Sequence, residues 1–118
     1  MKKKILAVDD EENICLLYEE EFKDEGYDVI TAKTGKEAIR LFEKEKPDMV
    51  ILDINMPEMN GIEILRILKE KSSKTPVIMS TAYAHYKQDF TVWAADAYVI
   101  KSPDLTELKQ KVKELLST

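Results

Sequence analysis

Met49-Val50-Ile51-Leu52-Asp53-Ile54-Asn55-Met56-Pro57 is the stretch from which the fold can be read: an apolar run, one aspartate at its end, then a turn closed by proline. A run this short, apolar at successive positions, is the pattern of a strand buried on both faces. A matching run, Ile5-Leu6-Ala7-Val8, ends at Asp9 and Asp10. Val77-Ile78-Met79-Ser80 leads into Thr81, and Tyr98-Val99-Ile100 leads into Lys101. Together with a run near 28, these predict strands over 4–9, 28–32, 48–53, 76–81 and 97–101.

Amphipathic stretches fill the intervals. Ile14, Leu17, Tyr18 and Phe22 fall at helical spacing and end at Gly26, while Thr34 and Glu37 form a capping box ahead of Ala38, Leu41 and Phe42. Pro47 closes that second helix. Ile64, Leu65 and Leu68 mark a third, and Leu105, Leu108, Val112, Leu115 and Leu116 make the stripe of the last, which starts near Ser102, Pro103 and Asp104. The least periodic stretch, Tyr83 to Trp93, is aromatic and reads as a short or mobile helix. Strand and helix alternating in this way predict an α/β fold, a parallel sheet with helices on both faces, because right-handed crossovers leave few other solutions.

The totals set bounds. At 118 residues, without a low-complexity segment or an internal repeat, the expectation is one domain over 1–118. Cys15 is the only cysteine and reads as a small apolar residue on a helix, consistent with a reducing, cytoplasmic location. Lys2 to Lys4 precede only four apolar residues before the aspartates, so neither a signal peptide nor membrane insertion is expected. A net charge of -5 argues against direct nucleic-acid binding.

In open parallel sheets ligands bind beyond the carboxyl ends of the strands. There Asp9, Asp10, Asp53, Thr81 and Lys101 converge: acids, a hydroxyl and an amine on separate strands. Like charges about 5 Å apart repel by roughly 3 kcal/mol per pair at an effective dielectric near 20, so a cation belongs among them. Clustered carboxylates without a neighbouring histidine are hard ligands that suit Mg²⁺ or Mn²⁺. Asp53 is then the candidate nucleophile toward a phosphoryl group, with Lys101 and Thr81 stabilising the charge that develops.

In its ordered set of motifs the chain resembles the receiver domains of two-component response regulators, including the chemotaxis and sporulation phosphorelay type. The resemblance spans the chain and rests on Asp9-Asp10, on Asp53-Ile54-Asn55-Met56-Pro57 with Gly61 beyond it, on Thr81-Ala82, and on Tyr98-Val99-Ile100-Lys101. It implies a flavodoxin-like five-stranded sheet of order 2-1-3-4-5, with Asp53 as phosphoacceptor. It further implies Asp10 as a direct Mg²⁺ ligand, Asp9 as a ligand through water and Asn55 through its backbone carbonyl. Thr81 would hold the phosphoryl oxygen and Tyr98 would turn inward with it, a switch biasing the face of the fourth helix and fifth strand. Asn55 and Tyr83, each two residues beyond a motif residue, would tune the lifetime of the acyl phosphate. The implied donor is a phosphohistidine on a sensor histidine kinase or a histidine phosphotransfer protein, and the implied output is binding of a downstream protein by a stand-alone receiver. Catalysis would be limited to self-phosphorylation and self-dephosphorylation.

Departures from that pattern bear on function. Lys101-Ser102-Pro103 stands where Lys-Pro with a cis bond is usual, and a non-proline cis bond costs several kcal/mol, so a trans bond or shifted loop is expected. Ala94 stands where glycine is common, beside a large Trp93. Two rival readings follow: an acid-cluster phosphohydrolase, disfavoured by Asn55 where an acid is wanted, and a receiver that serves as a fixed interaction module. His85, amid Tyr83 and Tyr86, is read as neither ligand nor donor.

Overall fold

The computed structural model describes residues 2–82 and 95–117. Among these lie β1 (Lys4–Val8), α1 (Glu12–Asp24), β2 (Asp28–Ala32), α2 (Gly35–Glu45), β3 (Met49–Asp53), α3 (Gly61–Lys71), β4 (Val77–Thr81), β5 (Ala97–Ile100) and α4 (Thr106–Leu116). The strands pair in parallel in the order β2-β1-β3-β4-β5. The expected segment from Tyr83 to Trp93, with His85, Tyr86 and Ala94, lies outside the described residues.

Alternation along the strands divides the core in two. Ile5, Ala7, Ile51, Ile78 and Val99 pack with Tyr18, Phe22, Leu108 and Val112, the side of α1 and α4. Leu6, Val8, Val50, Leu52, Val77 and Met79 pack with Ala38, Phe42, Ile64, Leu65 and Leu68, the side of α2 and α3. Successive strand residues point to opposite faces, so runs apolar at every position are what a sheet covered on both sides requires.

Local chemistry sets the element ends. Thr34 Oγ1 accepts from the Glu37 amide at 3.1 Å and Glu37 Oε1 accepts from the Lys33 amide at 3.0 Å, so the capping pair is formed one residue wider than its ideal. Gly26 closes the turn after α1 at a φ of 96°. The second helix ends one residue before Pro47, on Lys46 in the left-handed region, because the residue preceding proline is driven out of the helical region. The strands are one residue shorter than the expected 4–9, 48–53, 76–81 and 97–101. Ladder bonding nevertheless extends past them: the Asp9 amide donates to Ala32 O at 3.0 Å and the Lys101 amide to Thr81 O at 2.6 Å. No peptide bond among the described residues is cis, so Lys101-Ser102 is trans, as expected. Ser102 Oγ accepts from the Asp104 amide at 3.1 Å and Asp104 Oδ1 from the Thr106 amide at 2.9 Å, two side-chain turns that lead the chain through Pro103 into α4.

Candidate functional site

Strand parity builds the site. Ala7, Ile51, Ile78 and Val99 face the α1 and α4 side, and two residues further on stand Asp9, Asp53, Ser80 and Lys101. Met79 faces the other side, which gives Thr81 that parity, and Tyr98 packs against the same α2 and α3 core. Asp53 is in register with Ser80, and Thr81 with Ile100. The sheet edge thus carries acids and ammonium on one side and Thr81 on the other, with Tyr98 deeper in the sheet on the side of Thr81.

Carboxylate oxygens of Asp9, Asp10 and Asp53 all lie within 4.8 Å of one another. Asp9 is 1% exposed and Asp53 5%, whereas Asp10 is exposed, which gives the cluster a wet mouth and a dry floor. Lys101 Nζ stands 2.6 Å from Asp9 Oδ2 and 3.4 Å from Asp53 Oδ1. Asp9 Oδ1 accepts from the Glu11 amide at 3.0 Å, but Asp9 Oδ2 is buried and makes no hydrogen bond; the ammonium is close enough for an ion pair without the alignment of a bond. Burial first, then the charge of Asp9, push the Asp53 carboxyl up to about 6, against the opposing pull of Lys101 and the Asn55 amide. Burial pulls Lys101 down, but Asp9 and Asp53 beside it outweigh that and raise it.

The loop after β3 is held against the nucleophile. The Gly61 amide donates to Ile54 O at 2.8 Å. A Cβ on Gly61 would lie 2.7 Å from Ile54 Cα and closer still to the Asp53 carbonyl oxygen, so glycine alone permits this approach. Asn60 Oδ1 accepts from the Ile62 amide at 2.7 Å and caps α3, which fixes where the loop ends.

The donor set suits a hard divalent cation: three carboxylates, one of them with an oxygen buried and lacking a hydrogen bond. The nearby Cys15 thiol is directed elsewhere, donating to Asp9 O at 3.2 Å, and burial followed by the charge of Asp9 raises it. Asp9, Asp10, Asp53, Thr81 and Lys101 stand at the sheet edge and Asn55 in the loop above it, Asn55 exposed and Thr81 fully buried, while Tyr83 lies outside the described residues. Sequence reasoning missed Ser80 and Tyr18, whose hydroxyls meet at 3.2 Å beneath Lys101. The available signal was Ser80 itself, the polar residue in an apolar run with the parity of Asp53.

An acid pocket at the carboxyl edge of a parallel 2-1-3-4-5 sheet, with a lysine reaching in from β5, defines a receiver. Residues 5–113 match the response regulator receiver domain, and the chain belongs to that family. It is similar to the response regulator protein TrrA of Thermotoga maritima, whose crystal structure in complex with Mg²⁺-BeF superposes with a TM-score of 0.93 at 48% identity, covering 96% of this chain and 98% of that one. TrrA in complex with the histidine kinase ThkA gives a TM-score of 0.91 at 48% identity, over 97% of this chain and 98% of that one. The alkaline phosphatase synthesis transcriptional regulatory protein PhoP of Bacillus subtilis is 39% identical over 98% of this chain, which spans 49% of PhoP's length.

Proposed function

We propose that residues 1–118 act as one receiver unit in the cytoplasm, taking a phosphoryl group onto Asp53 from a phosphohistidine and thereby switching the binding of another protein. The carrying observation is the convergence of Asp9, Asp10 and Asp53 within 4.8 Å, with Lys101 reaching both buried acids. An Asp53 carboxylate oxygen attacks phosphorus, the phosphorus–nitrogen bond of the donor breaks, and the imidazole leaves with the electron pair and takes up a proton, giving an acyl phosphate. Asp10, Asp53 and the Asn55 carbonyl, with Asp9 through water, would hold Mg²⁺ or Mn²⁺, which would neutralise charge on the phosphoryl oxygens. Lys101 balances the remaining charge and Thr81 donates its hydroxyl to a phosphoryl oxygen.

Phosphorylation adds about -1.5 to -2 charges and three acceptor oxygens, enough to draw Lys101 from Asp9 and Thr81 inward, with Tyr98 following on the face they share. The TrrA–ThkA complex supports a histidine kinase as partner, a phosphotransfer protein being the alternative donor. The test is intact mass before and after incubation with acetyl phosphate and Mg²⁺. One added phosphoryl group, absent in Asp53→Asn, is the expected result. Undiminished labelling of that variant refutes the assignment, and steady turnover of small phosphate esters favours a phosphohydrolase instead.

A further inference from the structure

Tyr18 lies 62 residues from Ser80 in sequence, yet their hydroxyls meet at 3.2 Å in the buried layer directly under the acid cluster. Both are enclosed, at 4% and 2% exposure, and Ser80 is the in-register neighbour of Asp53. Buried hydroxyls require partners, and one hydrogen bond between two of them leaves lone pairs and a second proton still to place. Tyr18, Ser80 and Lys101 line the same small cavity, of about 10 Å³, with Val99 and Leu108 on its apolar side and Asp104 toward its open side. The ammonium of Lys101 stands beside both buried acids.

Resting on the function proposed above, we infer that the Tyr18–Ser80 hydroxyl pair is a positioning device for Lys101. Both hydroxyls wall the small cavity that Lys101 also lines, and so limit how far the lysine can withdraw from the two carboxylates, in reach of a phosphoryl group on Asp53. Neither hydroxyl touches the reacting atoms; both act through the lysine. The hydroxyl of Tyr18 is also the part of that side chain that core packing does not need, since its ring already packs edge-on against Phe22 at 6.1 Å between centroids.

The test uses Tyr18→Phe, which keeps the ring, and Ser80→Ala as a second probe. In metal-free protein the Lys101 ammonium is followed by NMR; both substitutions are expected to shift its resonance and speed its proton exchange. With acetyl phosphate and Mg²⁺, Tyr18→Phe is expected to slow labelling of Asp53 roughly fivefold, as befits one lost hydrogen bond, but to have no further effect in a Lys101→Ala background. A slowing by the same factor in both backgrounds, or a Lys101 resonance unmoved by either substitution, overturns the inference. Should the unaltered protein take up no phosphoryl group, the proposed function falls, and the NMR measurement still decides the positioning role.

Discussion

Replacing Asp53 by asparagine should make the metal-free protein more stable, although it removes the residue on which the proposed chemistry depends. In the folded chain burial and Asp9 hold this carboxyl at about 6, against an ordinary value of 3.8. The folded state therefore binds the proton more tightly than the unfolded one. Stability from the protonated form is complete below about 4, is lost as pH rises through 6, and stays lost above. At 1.36 kcal/mol for each tenfold change, ionisation at neutral pH costs at most about 3 kcal/mol, and water reaching the exposed Asp10 side lowers this to about 1–2 kcal/mol. Lys101 loses its 3.4 Å contact in the variant but keeps the 2.6 Å contact to Asp9, so little of the gain is forfeited. Urea unfolding with a chelator present should place Asp53→Asn about 1–2 kcal/mol above the parent near pH 7.5, with the gap closing as pH falls from 6 toward 4. A variant of equal or lower stability near pH 7.5, or a gap independent of pH, refutes the claim that the cluster is electrostatically strained.

The same strain predicts that Mg²⁺ at a hundred times its dissociation constant stabilises the parent by about 2.7 kcal/mol, and Asp53→Asn by much less, as titrated unfolding midpoints will show. Gly61→Ala forces a methyl group into the Asp53 and Ile54 backbone; calorimetry should record a loss of about 2–4 kcal/mol, with slower labelling of Asp53 because the loop shifts. Lys101→Ala leaves buried Asp9 without its counter-charge and should cost about 2–4 kcal/mol in chelator, most of it recovered on adding Mg²⁺. Thr34→Ala removes a cap remote from the chemistry and should cost about 1 kcal/mol by urea unfolding while leaving the rate of labelling unchanged.

The strands and the acids were legible from the chain because burial on both faces forces apolar runs, and each run stops at a polar residue where the apolar core gives way to the pocket at the sheet edge. Val8 followed by Asp9, and Leu52 followed by Asp53, record that boundary in one dimension. The helices were equally plain from their spacing, except that Cys15, rather than Leu17, is buried alongside Tyr18 and Phe22, since period alone does not say which side of a stripe meets the sheet. From the sequence, a trans bond or a shifted loop is expected at Lys101-Ser102-Pro103. In the fold the trans corner brings the Lys101 ammonium to both acids.

By itself the sequence determined the strand and helix order, the parity that sends Asp9, Asp53 and Lys101 to one side, and the chemical kind of the site, because these follow from local periodicity and residue type. Only the tertiary structure decided which acid is buried and which is exposed, that Gly61 lies against the Asp53 backbone, and that Tyr18 and Ser80 meet under Lys101. Those depend on distances between segments far apart in the chain, set by sheet register and helix packing, which no local pattern encodes.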